Sequence, residues 1–408
     1  VIVGRSLLRR WLPLLAGGLA MAHVQGAGAR DPGGAWEPGD GWPALPAGTA
    51  AVRLAFADLP GWPADDHAAL WPVFHAHCRA AVAALPALRA GAPMPAGLAV
   101  VCREAAALPA LPAGEARAFF ERHFTPVEIV PASGAGFLTG YYEPEVPGAL
   151  ARGEAISAPL MSRPDDLVTL AQGESVPGLP AGLMAARRTA SGHAPYATRG
   201  EIAEGAPLPG SQPIAWLRDD VEVFLMQVQG SGRVRLADGT LLRIAYAGRN
   251  GHPYTSIGRV IVEEGHVPLA ELTLARLKGW LRENPQHARR IMHRNASYIF
   301  FRRADELPPH MGPIGGAGLP LTPWRSIAVD RTLWPYGLPV WLDVDLPGDA
   351  GPQPFRQLTL AEDTGSAIVG PARADLFHGT GDEAGRRAGA LRHPMRFVVL
   401  WPKPEPAP

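Results

Sequence analysis

The chain has 408 residues, enough for two or three domains with substantial cores. Thirty-eight basic residues balance 38 acidic ones, so no net field recruits nucleic acid or an acidic surface. At 47% hydrophobic residues, with 47 glycines and 44 prolines, the composition describes a loop-rich globular protein and excludes collagen, coiled coil and disordered tail.

The first thirty residues read as an export signal. Arg5, Arg9 and Arg10 precede a short apolar stretch from Trp11 to Ala22, and Ala27-Gly28-Ala29 supplies small residues for cleavage. The stretch is too short for a comfortable bilayer crossing. No cysteine follows it, so a lipid anchor on cysteine is not expected. Residues 31–50 are rich in Gly, Pro and Trp and read as a linker or arm.

Asp65 to Phe124 carries apolar residues at three- and four-residue spacing, which predicts helices interrupted by the Pro/Gly segment 91–97. Cys78 and Cys102, the only cysteines, lie in this segment; in an exported chain such a pair suggests a disulfide. His75-Ala76-His77-Cys78 lacks a second ligand pair, so plain helix surface is expected there rather than a metal site.

After Pro131 the text changes to short β runs. Val223 to Val228 reads as a buried strand. Arg233 to Leu236 and Leu241 to Tyr246 alternate around Asp238-Gly239, a good hairpin turn. Leu272 to Arg294 is helical, broken at Asn284-Pro285. Strands return at Ile327 to Val329, Pro339 to Leu342, Leu358 to Ala361 and Phe397 to Trp401. Parallel βαβ units are not evident, which argues against Rossmann and TIM folds. The reading is mainly β with helical additions, as two barrels.

The densest chemistry lies between Asp363, which ends an apolar strand, and Asp375, twelve residues on. A loop of that length can return both carboxylates to one rim, where each raises the other's pKa. Asp330 closes a third strand; without context, three strand-end aspartates are turn caps as readily as catalysts. Asp363-Thr364-Gly365-Ser366 spells the D-T-G-S signature of aspartic proteases, but no second D-T/S-G accompanies it. Gly230-Ser231-Gly232 and Gly134-Ala135-Gly136 lack the strand-to-helix context of a dinucleotide fingerprint, and no histidine falls in a ligand pattern. No metal and no cofactor are expected.

Several runs carry a resemblance. Leu138-Thr139-Gly140-Tyr141-Tyr142-Glu143-Pro144, Met226 to Gly232, Tyr246 to Tyr254, Ser256-Ile257-Gly258, Asn295 to Phe301, Ile327 to Arg331, Asp363 to Asp375 and Gly379 to Gly385 together resemble the membrane-bound lytic murein transglycosylase A family, in order and over most of the chain after about residue 55. The resemblance implies a double-psi β-barrel formed by residues 31–144 and 302–404, with a smaller β domain, residues 145–301, inserted as the other wall of a glycan groove. It implies that Asp375 is the essential acid, supported by Asp363 and Asp330. It further implies cleavage of the β-1,4 bond between N-acetylmuramic acid and N-acetylglucosamine with formation of a 1,6-anhydro ring.

Groove residues expected to meet the glycan are Thr139, Tyr141, Tyr142, Gln229, Gly230, Ser231, Asn250, Tyr254, Ser256 and Gly365. Flat rings at Tyr141 and Tyr142 suit sugar faces, though core packing would use them equally well. Expected partners are peptidoglycan strands and the cell-wall machinery of the periplasm, or of the periplasmic face of the outer membrane, of a Gram-negative bacterium. A monomer is expected. A barrel-type glycoside hydrolase using Asp363 as base, and a non-catalytic peptidoglycan-binding module, are the competing readings.

Overall fold

The computed structural model describes residues 41–171, 174, 176–346 and 351–404. The expected export segment, and residues 31–40 of the arm, lie outside the described residues. The rest of the arm is anchored: Trp42 packs edge-on against Trp401 and Trp334, with ring centroids 4.8 and 5.9 Å apart.

A short strand, β1 (Ala50–Arg53), leads to three helices, α1 (His67–Val82), α2 (Ala96–Ala107) and α3 (Ala113–His123). Asp66 caps α1 by accepting from the Ala69 amide. Leu70, Trp71, Phe74, His77 and Cys78 recur at helical spacing and are buried. Cys78 and Cys102 form a disulfide that staples α1 to α2 inside the core. His77 and Cys78 therefore belong to the packed face, not to the expected helix surface. Among the described residues no cluster of three His, Cys, Asp or Glu side chains is arranged to hold a metal, and no helix is long and apolar enough to cross a membrane.

Strands β2 (Phe124–Val130) and β3 (Gly136–Glu143) follow. The chain then passes through β4 (Glu145–Ala149), β5 (Ala158–Met161), β6 (Leu167–Thr169), β7 (Ala185–Thr189), β8 (Gly192–Ala194), α4 (Arg199–Ala203) and β9 (Pro213–Leu217). Next comes α5 (Asp220–Gln229), which corrects the sequence reading of a buried strand at Val223 to Val228. A short apolar run does not distinguish strand from buried helix by period alone; the ends decide. Asp219 caps the N-terminus by accepting from the Glu222 amide, and Gly230 closes the helix in the left-handed region at φ 82°. The run is apolar throughout because α5 packs between two cores. Phe224 and Leu225 meet α6 (Ile257–Glu263), α7 (Leu274–Glu283) and α8 (Pro285–His293), while Val223 and Met226 meet the sheet.

The hairpin β10 (Ser231–Arg235) and β11 (Leu241–Arg249) turns at Asp238-Gly239 as read from sequence, with Gly239 at φ 86° and the Asp238 carboxylate accepting from the Thr240 amide. With β12 (Ile299–Arg303) these strands form a six-stranded sheet in the order β12-β11-β10-β4-β9-β5. A bridge from Ser162 to Phe301 draws its edges together.

The final strands are β13 (Ser326–Val329), β14 (Pro339–Leu346), β15 (Gln353–Asp363), β16 (Arg373–Thr380) and β17 (Arg392–Pro402), with α9 (Gly381–Ala390) before the last. Strand order β17-β14-β15-β13-β16-β3, closed by β3 on β17, makes a six-stranded barrel; β2 and β1 extend it from β17. The parallel pairs β13/β15 and β16/β3 are joined by long connections instead of βαβ helices. Leu138, Ile327, Val329, Ala374 and Leu376 fill the interior. The residues alternating with them face outward, and that parity places Asp375.

Candidate active site

Across the outer face of the barrel runs one row of registered residues. Ala328 of β13 is paired with Asp363 of β15 on one side and with Asp375 of β16 on the other. Asp375 is in turn opposite Thr139 of β3. Thr139, Ala328 and Asp375 alternate with apolar barrel residues, and a bulge at Glu362 in the β13–β15 pairing brings Asp363 into the same row. Ala328 has only a methyl group between the two flanking strands, and Asp375 feels the charge of Asp363 across it.

Asp375 is held closely. The Thr139 hydroxyl donates to its Oδ1 at 2.5 Å, and Thr139 Oγ1 accepts from the Arg373 guanidinium at 2.7 Å. Burial pushes the Asp375 carboxyl up to about 6, with the Asp363 charge adding to the rise. Arg373 and the Thr139 hydroxyl oppose that shift without cancelling it. Asp363 accepts from the Gly316 amide at 2.8 Å and from the Tyr141 hydroxyl at 3.0 Å. Burial raises this group too, against the stabilising influence of Arg89 and the amides of Thr364 and Gly316. Tyr141 stays a donor, since burial and Asp363 drive its pKa well above the usual phenol range.

Other expected residues are placed differently. Asp330 is 5% exposed and touches neither of the other two aspartates; its carboxylate accepts from the Thr332 amide and hydroxyl and from the Gly370 amide. It clips the loop that joins Asp363 to Asp375 through the Gly370 amide. Asn250 is fully buried; it donates to the carbonyls of Ala197 and Ala296 and accepts from the Tyr298 amide. It is a cross-link, not a glycan contact. Tyr142 packs against Ala384 and Ala388 of α9, so its ring is no open sugar platform.

Gln229 Oε1 accepts from the Tyr142 amide at 3.2 Å and so ties the end of α5 to the barrel strand. Gly230 forms the left-handed helix end beside it, and Ser231 begins β10 opposite Ala245. Ser256 caps α6. Tyr254 is half-buried, and burial raises its hydroxyl pKa. Gly365 lies in the turn closed by the Ile368 amide.

The sequence reading did not single out Arg89, Arg373, Gly316 or Tyr246 for the site. Arg89 Nη1 donates to the Thr364 carbonyl at 2.9 Å across 275 positions, and its guanidinium stands 4.2 Å above the Tyr246 ring. Arg373 had a signal, standing two residues before Asp375 on an alternating strand. Arg89 had none.

A closed six-stranded barrel with registered acids on its outer wall, and a β domain inserted at the end of β3, defines the class: a double-psi β-barrel protein. Comparison with known proteins specifies it further. The MltA specific insert domain matches residues 137–302 and the 3D domain matches residues 325–401. The chain is 36% identical over 211 residues to membrane-bound lytic murein transglycosylase A of Vibrio cholerae. That alignment covers 50% of this chain and 55% of the relative, so the chain spans about half the length of the curated relative it matches. A membrane-bound lytic murein transglycosylase from Agrobacterium tumefaciens is similar at 33% identity and TM-score 0.78, over 86% of this chain and 98% of that one. MltA from Neisseria gonorrhoeae is similar at 32% identity and TM-score 0.70, over 91% and 98%. This chain belongs to the membrane-bound lytic murein transglycosylase A family.

Proposed function

We propose that the chain is a peptidoglycan lytic transglycosylase in which Asp375 serves as the single acid and base. The observation that carries this reading is the Asp375 carboxyl itself, half-buried, paired with Ala328 opposite Asp363, and raised to about 6, near the working pH of a proton donor. With Oδ1 occupied by the Thr139 hydroxyl, the proton resides on Oδ2.

That proton passes to the glycosidic oxygen as the bond to C1 of N-acetylmuramic acid breaks, releasing the 4-hydroxyl of N-acetylglucosamine. The C6 hydroxyl of the same muramic residue attacks C1 and forms the 1,6-anhydro ring. Its proton goes to the Asp375 carboxylate, which returns to its starting state. No water is consumed. An ordinary glycosidase uses two carboxyl groups, one to activate water or attack; here the nucleophile is tethered to the reacting carbon, and its high effective concentration replaces the second group. Asp363 acts as the charged neighbour that keeps Asp375 protonated, and Asp330 holds the loop between them.

The barrel, residues 31–144 and 302–404, and the insert, residues 145–301, serve as the two walls of the glycan groove in this reading. The enzyme works as an exported monomer in the periplasm or at the periplasmic face of the outer membrane, among the cell-wall machinery. The test is mass spectrometry of the products released from purified murein sacculi in labelled water. Anhydro ends without solvent oxygen support the reading, and reducing ends that carry the label overturn it in favour of a hydrolase.

A further inference from the structure

Three arginines, Arg89, Arg249 and Arg331, come from distant segments to the neighbourhood of Tyr246. Arg89 comes from the connection between α1 and α2, lying over Tyr246 with its Nη1 on the Thr364 carbonyl. Arg331 follows Asp330; its guanidinium donates to the Ala90 carbonyl, and its own carbonyl accepts from the Ala92 amide at 2.7 Å. Arg249 ends β11, three residues after Tyr246, with its guanidinium against the Met184 sulfur. Burial lowers the Arg249 pKa, and after the opposing effect of Tyr246 the charges of Arg89 and Arg331 lower it further; Arg331 is tied to the residue that follows Arg89, and Arg89 covers Tyr246 on the strand that Arg249 ends.

Among the described residues no carboxylate stands within ion-pair distance of any of the three. By contrast Arg233, Arg243, Arg282, Arg325 and Arg396 are each paired. Asp363, which feels the charge of Arg89, is engaged by Gly316 and Tyr141. Arg89 Nε is buried with no hydrogen-bond partner. Gly230 leaves space on the same side, since a Cβ there would stand 4.0 Å from Arg89 Nη2. Half-buried like charges held together without a counter-charge are an arrangement that an anion relieves, and guanidiniums match carboxylates in geometry.

We propose that Arg89, Arg249 and Arg331 form a receptor for a carboxylate on the substituent borne by muramic acid, so that the groove selects acidic glycan strands over neutral ones. The inference rests on the peptidoglycan reading above and adds to it the chemical feature by which the substrate is recognised. Two sources carry that chemistry: the lactyl carboxylate of peptide-free strands and the carboxylates of a peptide stem.

The test measures binding in an Asp375→Asn background, where the ligand is not cleaved. Titration calorimetry compares neutral chito-oligosaccharide, peptide-free murein strands and stem-bearing strands at low and high salt. Arg249→Gln and Arg331→Gln are each expected to weaken murein strands about tenfold, flatten the salt dependence, and leave the neutral oligomer within about twofold. The charge-preserving Arg→Lys changes restore part of the loss, and they serve as the readout if a Gln variant fails to fold. A loss on peptide-free strands identifies the lactyl carboxylate; a loss confined to stem-bearing strands identifies the stem. Equal losses on neutral and acidic ligands, or none on either, overturn the proposal. Selective binding by a protein that yields no anhydro product would instead overturn the activity and leave the receptor standing.

Discussion

Asp363 and Asp375 are registered to the same residue, Ala328, from the two sides of β13. Their backbones are thus two strand spacings apart, about 10 Å, and only the side chains close the gap. The methyl of Ala328 is the sole side chain between them on that face. Replacing it with valine keeps strand propensity while adding two methyl groups between the two flanking strands. Ala328→Val is expected to lower kcat/KM by about 10- to 100-fold with a circular dichroism spectrum like that of the parent, measured on murein sacculi. Unchanged turnover would show that the separation of the two carboxyls is immaterial.

On the proposed mechanism, removing Asp375 is expected to have a sharper effect than removing Asp363. Asp375→Asn is expected to cut turnover by about 10³-fold or more, the range that general acid–base catalysis supplies. Asp363→Asn removes the negative charge that helps raise Asp375, so the Asp375 pKa falls and the alkaline limb of the pH–rate profile moves to lower pH. In the parent that limb is expected near the raised Asp375 pKa of about 6, where the resting acid loses its proton. A profile of kcat/KM against pH for parent and Asp363→Asn checks both statements, and an unmoved limb contradicts the second.

The Thr139 hydroxyl acts in the opposite direction, since it stabilises the ionised form of Asp375. Thr139→Val deletes that donor while preserving shape. The alkaline limb is expected to move upward, and kcat to fall because the carboxylate formed on proton transfer has lost its hydrogen bond. The two shifts together distinguish a lost hydrogen bond from general disruption of the site. A downward shift would mean that Thr139 does not donate to this oxygen.

How far the sequence exposed all this depended on the distance over which each feature is encoded. The β10–β11 hairpin was readable at Asp238-Gly239, and the break between α7 and α8 at Asn284-Pro285, because both are decided by neighbouring residues. The pair Asp363 and Asp375 was readable because each ends or crosses a recognisable apolar strand. Helix α5 was not, since burial on two sides erased the period that separates helix from strand. Asn250 was read as a ligand contact because a motif preserves a residue without saying which way it faces; its three backbone partners lie over 45 positions away. The arginine cluster draws on residues 89, 249 and 331, which no window spans.

Next to Asp363 on the same strand lies a more deeply buried acid, Glu362. Glu362 is 1% exposed, and its Oε2 accepts from the Ser326 hydroxyl at 2.5 Å. Burial pushes its carboxyl up to about 8, with Asp363 adding to the rise and Ser326 opposing it. The folded state therefore holds this proton where the unfolded chain, with a pKa near 4.5, has released it. Between those two values the native state binds more protons than the unfolded state, so stability declines as pH rises from about 4.5 to about 8. Glu362→Gln keeps the shape and the acceptor for Ser326 while abolishing the titration. Its melting temperature is expected to be flatter across this window and higher than that of the parent at pH 8, as thermal denaturation at pH 5 and pH 8 will show. If parent and variant lose the same number of degrees between the two pH values, Glu362 is not the buried acid that sets the slope.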